Sequence, residues 1–434
     1  MLLSMLRSLP QRISARFGAI APSRLRRALL AIYLLTAFAD AAGKTLASNP
    51  AVNAAATRLV SGEQTHHELR EAARPSGNFE IFRTAARHVV TGQDLYAEYP
   101  VEHSDRFKYS PTFALLFGPL AWIPWPLALF LWSALNALVL FVAIERLLPQ
   151  RAALVALACL HLEVLRAMQN AQSNALVAGL IVLAFAALER ASAWRAAAAV
   201  ALGACVKIFP LAALTFALPR RRAVRTGLWA GAIGLGLLLL PLLVTSPSTL
   251  LAQYVSWRGI ESSDAQQRWF SVMELLQRWI GAGWPNWPVQ LAGTLALVAP
   301  LAFRRDRWDD ARFRLRYLCS LLLYVVLFNH QAERASYIIA FVGIAIWFAS
   351  EPRSGWRAAL FWIAMLAIPV CSTLIPGAWL RTPTAMLYRL ALPSLAIWLV
   401  LQWELLGSRA EEGTAVPERS AGGFAAPPST AVTG

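Results

Sequence analysis

Long apolar runs, broken at short intervals by compact polar segments, dominate this chain. Many of the runs approach the ~20 residues that a helix needs to cross a bilayer core about 30 Å thick. They predict spans at 26–46, 125–148, 151–168, 171–189, 226–246, 286–303, 311–329, 334–350, 356–375 and 386–407. Two stretches fit less simply: 112–123, bounded by Pro111 and Pro124, and 194–218, interrupted by Lys207 and Pro210. The pattern predicts an all-α, polytopic integral membrane domain over 25–407, with about 10–13 transmembrane or re-entrant helices and additional loop helices. A short N-terminal segment, 1–24, precedes it. The tail 408–434, rich in Gly, Ala, Pro, Ser and Thr, is expected to be disordered.

Composition agrees with this class. The 434 residues are 57% hydrophobic and only 15% charged, with a mean hydropathy of +0.49, which excludes an ordinary soluble protein. A net charge of +16 could suggest a nucleic-acid partner, but the cations sit in short loops. Examples are Arg24, Arg26 and Arg27, then Arg220, Arg221, Arg222 and Arg225, then Arg304, Arg305, Arg307, Arg312, Arg314 and Arg316. Clustering of this kind marks cytoplasmic loops. The N-terminus lacks a short apolar region followed by a cleavage site, so the first run reads as an uncleaved span and both termini as cytoplasmic in a plasma membrane. Cys159, Cys205, Cys319 and Cys371 are isolated within apolar runs and read as small buried hydrophobes.

With the basic loops inside, the polar segments fall together on the outer side. They are 47–111, the tip Gln169–Asn174, the Lys207 break, 247–285, the tip Asn329–Arg334 and 376–385. This requires 194–218 to be two half-helices that dip and return, an arrangement tolerated at membrane depth only where protein or a cavity covers it. Within the first outer loop, Phe79, Phe82, Ala86, Val89 and Val90 recur at helical spacing opposite Glu80, Arg83 and Arg87. The spacing predicts an interfacial amphipathic helix that stops at Gly92. Trp257, Trp269, Trp279, Trp284 and Trp287 in the second loop read as headgroup-level aromatics.

The candidate chemistry lies on that side. The stretch Glu98–Pro111 carries three carboxylates, an imidazole and two cations beside an apolar run. On a helical turn Glu102 and Asp105 would share a side, with His103 between them. They could supply a general base, hold a divalent cation, or simply pair with Arg106 and Lys108 at a solvated edge. Lys207, alone in apolar sequence, suits a lipid-linked phosphate or a snorkelling role. His330 and Glu333 are three apart, on a polar tip. Glu163 and Arg166 read as an i, i+3 ion pair. Arg258, Glu261, Asp264 and Arg268 give the second loop mixed charge. The chain has no phosphate-binding glycine loop, HExxH or GxSxG, which argues against an ATPase, zinc protease or hydrolase of the usual kinds.

Asn78-Phe79-Glu80-Ile81-Phe82, Gly92-Gln93-Asp94-Leu95-Tyr96 and Phe107-Lys108-Tyr109-Ser110-Pro111-Thr112-Phe113 resemble the first-loop pattern of glycosyltransferase family 87. Gln172-Ser173-Asn174, Lys207-Ile208-Phe209-Pro210 and Asn329-His330-Gln331-Ala332-Glu333 follow in the family's order, so the resemblance spans roughly 28–407. It implies a GT-C-like fold and transfer of a hexose such as mannose from a polyprenyl-phosphate donor to a lipid or glycan acceptor outside the cytoplasm. No cofactor is expected, a divalent cation being possible but not indicated. An acid in the first outer loop acts as base in such enzymes, and many have Asp where Asn78 stands. The resemblance therefore leaves Glu102, Asp105 and Glu80 as catalytic candidates. Lys207, Lys108, His103, Asn174, His330, Glu333 and Arg268 are the candidate substrate contacts. A transporter or flippase of lipid-linked glycans, or a non-catalytic membrane scaffold, are the other classes compatible with the pattern.

Overall fold

The computed structural model describes residues 21–49, 77–103, 105–281, 283–351, 354–375 and 377–407, and every regular element in them is helical. Helices satisfy their own backbone groups, as a chain in lipid must. Among the described residues, six are long and apolar enough to cross a membrane: Pro22–Ala47, Trp125–Leu147, Gln150–Gln169, Ala223–Leu243, Gly355–Thr373 and Pro383–Gly407. Shorter apolar helices fill the bundle. The expected spans at 171–189, 311–329 and 334–350 shrink to Asn174–Glu189, Ala311–Leu327 and Tyr337–Ser350, because polar tips take residues from their ends. The segment 1–20, the middle of the first loop (50–76) and the tail 408–434 lie outside the described residues.

Burial sorts the helices as their patterns require. Tyr337–Ser350 is apolar all round, and Tyr337 through Trp347 are all buried. Ala223–Leu239 buries only Thr226 and turns Val224, Leu228, Trp229 and Leu235 outward, as a lipid-facing helix does.

The break at Lys207 is real. The Ala193–Val206 helix ends there, Lys207 is extended (φ −147°, ψ 143°), and a 3-10 helix follows at Phe209–Ala217. Gly203 permits the return, since a Cβ on it would lie 2.8 Å from the Pro210 ring. The run 112–123 likewise splits into Pro111–Leu116 and Gly118–Ala121, the first capped by Ser110, whose hydroxyl accepts from the Phe113 N–H and donates to Cys205 O.

Two ends of the bundle differ in character. At one, Arg26 meets Glu145 at 2.5 Å, Arg220 and Arg314 share Glu189 at 2.8 Å each, and Arg316 reaches Glu351 at 2.7 Å and Glu404 at 3.3 Å. Arg357 also pairs with Glu404, at 2.6 Å. These pairs join the basic loops, and removing one partner of the buried ones would strand a charge. The helices that begin or end there carry the polar tips at their other ends.

Two expectations are corrected. The Gly77–Thr91 helix does not lie on a surface with its polar face free. Phe79, Phe82, Ala86 and Val89 are buried as expected, but Arg83 is buried as well, donating to the carbonyls of Ala121 and Ile123, while Val90 is exposed. The Ala121 carbonyl ends the Gly118–Ala121 helix and Ile123 follows it, so Arg83, with Arg87 on Ala121 O, supplies donors that the helix does not. Gly92 does end the helix, in the left-handed region at φ 74°, with Gln93 N–H bonded to His88 O. The second correction concerns Glu163, which pairs with Arg334 through two hydrogen bonds of 2.6 and 3.0 Å and not with Arg166, which donates to Gln169. A guanidinium across the helix interface offers two parallel donors, which a residue one turn away on the same helix does not match.

Candidate active site

A cavity of about 620 Å³ opens at the polar end of the bundle, within the range of ligand sites. Next to it packs a buried aromatic cluster, of which Tyr109 lines the cavity. Phe82 meets Tyr109, Phe113 and Trp132 edge-on, with ring centroids 4.9–5.8 Å apart, and Phe107 stacks on Phe113. The Tyr96 hydroxyl donates to Tyr109 O at 2.7 Å. This buried cluster fixes the backbone that presents Lys108 and Tyr109 to the cavity.

One wall is the Pro247–Asp264 helix. Gln253 clasps the first loop, accepting from Leu95 N–H at 3.0 Å and donating to Gln93 O at 2.9 Å. One turn on, Trp257 donates to Lys108 O. At the helix end, Asp264 pairs with the Lys108 ammonium at 2.9 Å and accepts from Gln267 and Gln331. Three positions on one face thus dock the second loop onto the first. Tyr254, Trp257, Arg258, Glu261 and Asp264, spaced at three and four residues, all line the cavity.

Of the sequence candidates, Asp105, Lys108, Lys207, His330 and Glu333 line the cavity. The other five do not. Glu102 meets His88 at 3.2 Å and is half-exposed, Glu80 accepts from the Trp125 indole, and His103 packs against Tyr99. Asn174 donates to Ala335 O at 2.8 Å, tying two tips together, and Arg268 donates to Gln277 and to Trp284 O. Glu102 and Asp105 are therefore parted: the backbone there is a turn closed by Glu102 and His103 N–H groups on Tyr99 O, not a helix that would place both on one side. Asn78 also faces the cavity and donates to Asn170 O.

Electrostatically the cavity sets lysines against acids. Among the described residues the Lys207 ammonium makes no hydrogen bond or ion pair; it sits 5.9 Å from the Tyr109 and Phe209 ring centroids. Burial pushes the Glu261 carboxyl above the usual carboxylate range, and the negative charge of Asp264 adds to this, against the pull of Lys108 and Lys207. Burial by itself would lower Lys108, but the hydrogen bond that it donates to Asp264, helped by the charges of Asp105, Asp264 and Glu333, raises it overall. Burial lowers the His330 imidazole, opposed by Asp264; its Nδ1 faces Gln290 at 3.2 Å. No three His, Cys, Asp or Glu side chains among the described residues converge as a metal-ligand set.

Fold and cavity together define a polytopic membrane protein with a charged, ligand-sized site at one end of its bundle. The chain belongs to glycosyltransferase family 87, whose family model matches residues 107–329. It is a membrane glycosyltransferase, working between a sugar donor and an acceptor. The matched stretch takes in Lys108, Lys207, Glu261 and Asp264 and ends just before His330 and Glu333. No curated relative matches the chain.

Proposed function

We propose that the protein transfers a hexose from a polyprenyl-phosphate donor to a lipid or glycan acceptor at the extracytoplasmic face of a plasma membrane. The observation that carries this reading is Lys207: an ammonium that makes no hydrogen bond or ion pair among the described residues, facing a cavity that also holds Asp105, Glu261 and Glu333. A phosphate would complete the lysine, and an acid is needed for the acceptor hydroxyl. The ion-paired basic loops at the opposite end support an outward-facing cavity with both termini inside.

In the proposed reaction Asp105 removes the proton of the acceptor hydroxyl as its oxygen attacks the anomeric carbon. The bond from that carbon to the phosphate oxygen breaks, its electrons pass to the departing polyprenyl phosphate, and the anomeric centre inverts. Lys207 stabilises the developing phosphate charge electrostatically, a contribution that grows in the transition state. Asp105 is preferred over Glu102 and Glu80 because it alone of the three reaches the cavity. Asp264 is engaged by Lys108, and Asn78 has no carboxylate to offer. The proposal gives the phosphate to lysines rather than to a bound cation, so transfer should persist in EDTA.

The test is purified protein in liposomes with a labelled polyprenyl-phosphate sugar and extracted membrane lipids as acceptor. Label in a new lipid or glycan product supports transfer. Label that changes leaflet but stays on its polyprenyl carrier would instead support a flippase. Absence of both outcomes, with donors of several sugars, would leave the scaffold reading standing and sink this one.

A further inference from the structure

Behind the cavity, the tip that places Glu333 in the site turns the next residue, Arg334, the other way. Arg334 meets Glu163 and also donates to Ser372 Oγ at 3.0 Å and to Ile368 O at 3.4 Å. Arg389 donates to the same Ser372 hydroxyl at 2.6 Å, to Ala367 O at 3.0 Å and to Leu380 O at 3.3 Å. The Ala367 and Ile368 carbonyls lie where the Gly355–Thr373 span opens into a π turn at Leu366–Val370, and Ile368 O also accepts from the Ser372 hydroxyl. There Pro369 lacks an N–H and Cys371 N–H reaches back to Leu366 O. Arg166 stands one turn beyond Glu163 on the Gln150–Gln169 helix and within electrostatic reach of Arg334 and Arg381.

The charges do not balance. Glu163 is the carboxylate that pairs within this group, and Arg334 takes both its oxygens. Among the described residues Arg389 has only neutral oxygens as hydrogen-bond partners, and Arg166 has the Gln169 amide oxygen at 3.3 Å. A helix C-terminus near Arg166 favours a cation, but its partial charge does not neutralise two guanidiniums. Unpaired guanidiniums near the end of a membrane span are costly unless an anion completes them. Guanidinium forks match phosphate oxygens.

We infer that Arg166 and Arg389 hold the phosphate of an anionic lipid headgroup at the edge of the bundle, a second site distinct from the sugar-transfer cavity. Its position behind the Asn329–Arg334 tip gives the surrounding lipid a hold on the segment that carries His330 and Glu333. The inference stands on the arginine geometry and not on the proposed reaction.

The experiment is thermal unfolding of the full chain in detergent with added dioleoylphosphatidylglycerol, dioleoylphosphatidylcholine or inorganic phosphate. Phosphatidylglycerol should raise the transition where phosphatidylcholine does not. Arg166→Gln should need about tenfold more phosphatidylglycerol for half the effect, the size expected for one charge-assisted contact, and Arg166→Lys should recover most of it. Arg166 is the chosen position because its one amide contact adds little to the fold, whereas Arg389 holds the π turn. Equal protection by phosphatidylcholine, or an unchanged response in Arg166→Gln, overturns the site. Equal protection by inorganic phosphate overturns the lipid as its occupant. None of these readouts depends on sugar transfer.

Discussion

Lys108 and Asp264, 156 positions apart, meet in a 2.9 Å ion pair that locks the second polar loop onto the first. The Asp264 carboxylate is the more buried partner, and Gln267 and Gln331 complete it, so the pair holds three segments of the cavity rim. Asp264→Asn and Lys108→Gln should each lower sugar transfer, and the double variant should be little worse than either single one. A double-mutant cycle on transfer rates is expected to give a coupling of ~1–2 kcal/mol. Simple additivity would show that the pair does not organise the site.

Lys207 faces the cavity and makes no hydrogen bond or ion pair among the described residues. Lys207→Ala should cut the transfer rate by roughly 10²–10³-fold, the usual cost of removing one preorganised electrostatic donor. Lys207→Arg should keep a measurable fraction, because the charge remains while the geometry changes. Single-turnover transfer in reconstituted liposomes measures both. If the alanine variant works at wild-type rate, the leaving phosphate is not bound here.

The three sequence-level base candidates separate by position. Asp105 lines the cavity, whereas Glu102 meets His88 and Glu80 meets Trp125. Asp105→Asn is therefore expected to lose about 10²–10⁴-fold, the range for a general base. Glu102→Gln should stay within about threefold of wild type, since exposed pairs contribute little. The reverse ranking would return the base to Glu102.

Much of this molecule is legible in its sequence because two signals survive without tertiary information. Hydropathy locates the long spans, and the isolated Lys207 beside Pro210 announces a break that the structure places at that residue. Charge clustering foretells two unlike ends. The failures are of pairing. Nothing local distinguishes Arg166 from Arg334 as the partner of Glu163, or His88 from the cavity as the neighbour of Glu102. The second-loop wall was readable in principle: Tyr254, Trp257, Arg258, Glu261 and Asp264 form one helical stripe. Scattered mixed charge on the same segment masked that period. The polar face of Gly77–Thr91 misled for a related reason, since an arginine capping buried carbonyls looks in sequence like one facing water.

Glu261 gives a pH signature. Its carboxyl titrates above the usual range, through burial first and Asp264 second. A raised folded-state pKa means that the native protein binds the proton more tightly than the unfolded chain. The resulting stability is fully present below the unfolded value, roughly 4.3, and is lost as pH rises through the folded pKa. Glu261→Gln removes the ionisation, so it should unfold at a higher temperature than wild type near pH 7. That advantage should vanish toward pH 4. A pH series of melting curves checks the sign, and a variant less stable at neutral pH would contradict it.

The orientation of the cavity can be read directly. Val101 is almost fully exposed beside the polar loops, while Arg225 is exposed at the start of the Ala223–Leu239 helix, next to the basic cluster. If the cavity faces outward, Val101→Cys in intact cells should react with a membrane-impermeant maleimide, and Arg225→Cys should react only after the membrane is permeabilised. Cys205 and Cys319 are buried and Cys159 and Cys371 half-buried, so the unsubstituted chain sets a low background. The opposite pattern would turn the bundle over. It would place the cavity beside the cytoplasm, where soluble nucleotide sugars could serve as donors, and the case for a polyprenyl carrier would lose its topological support.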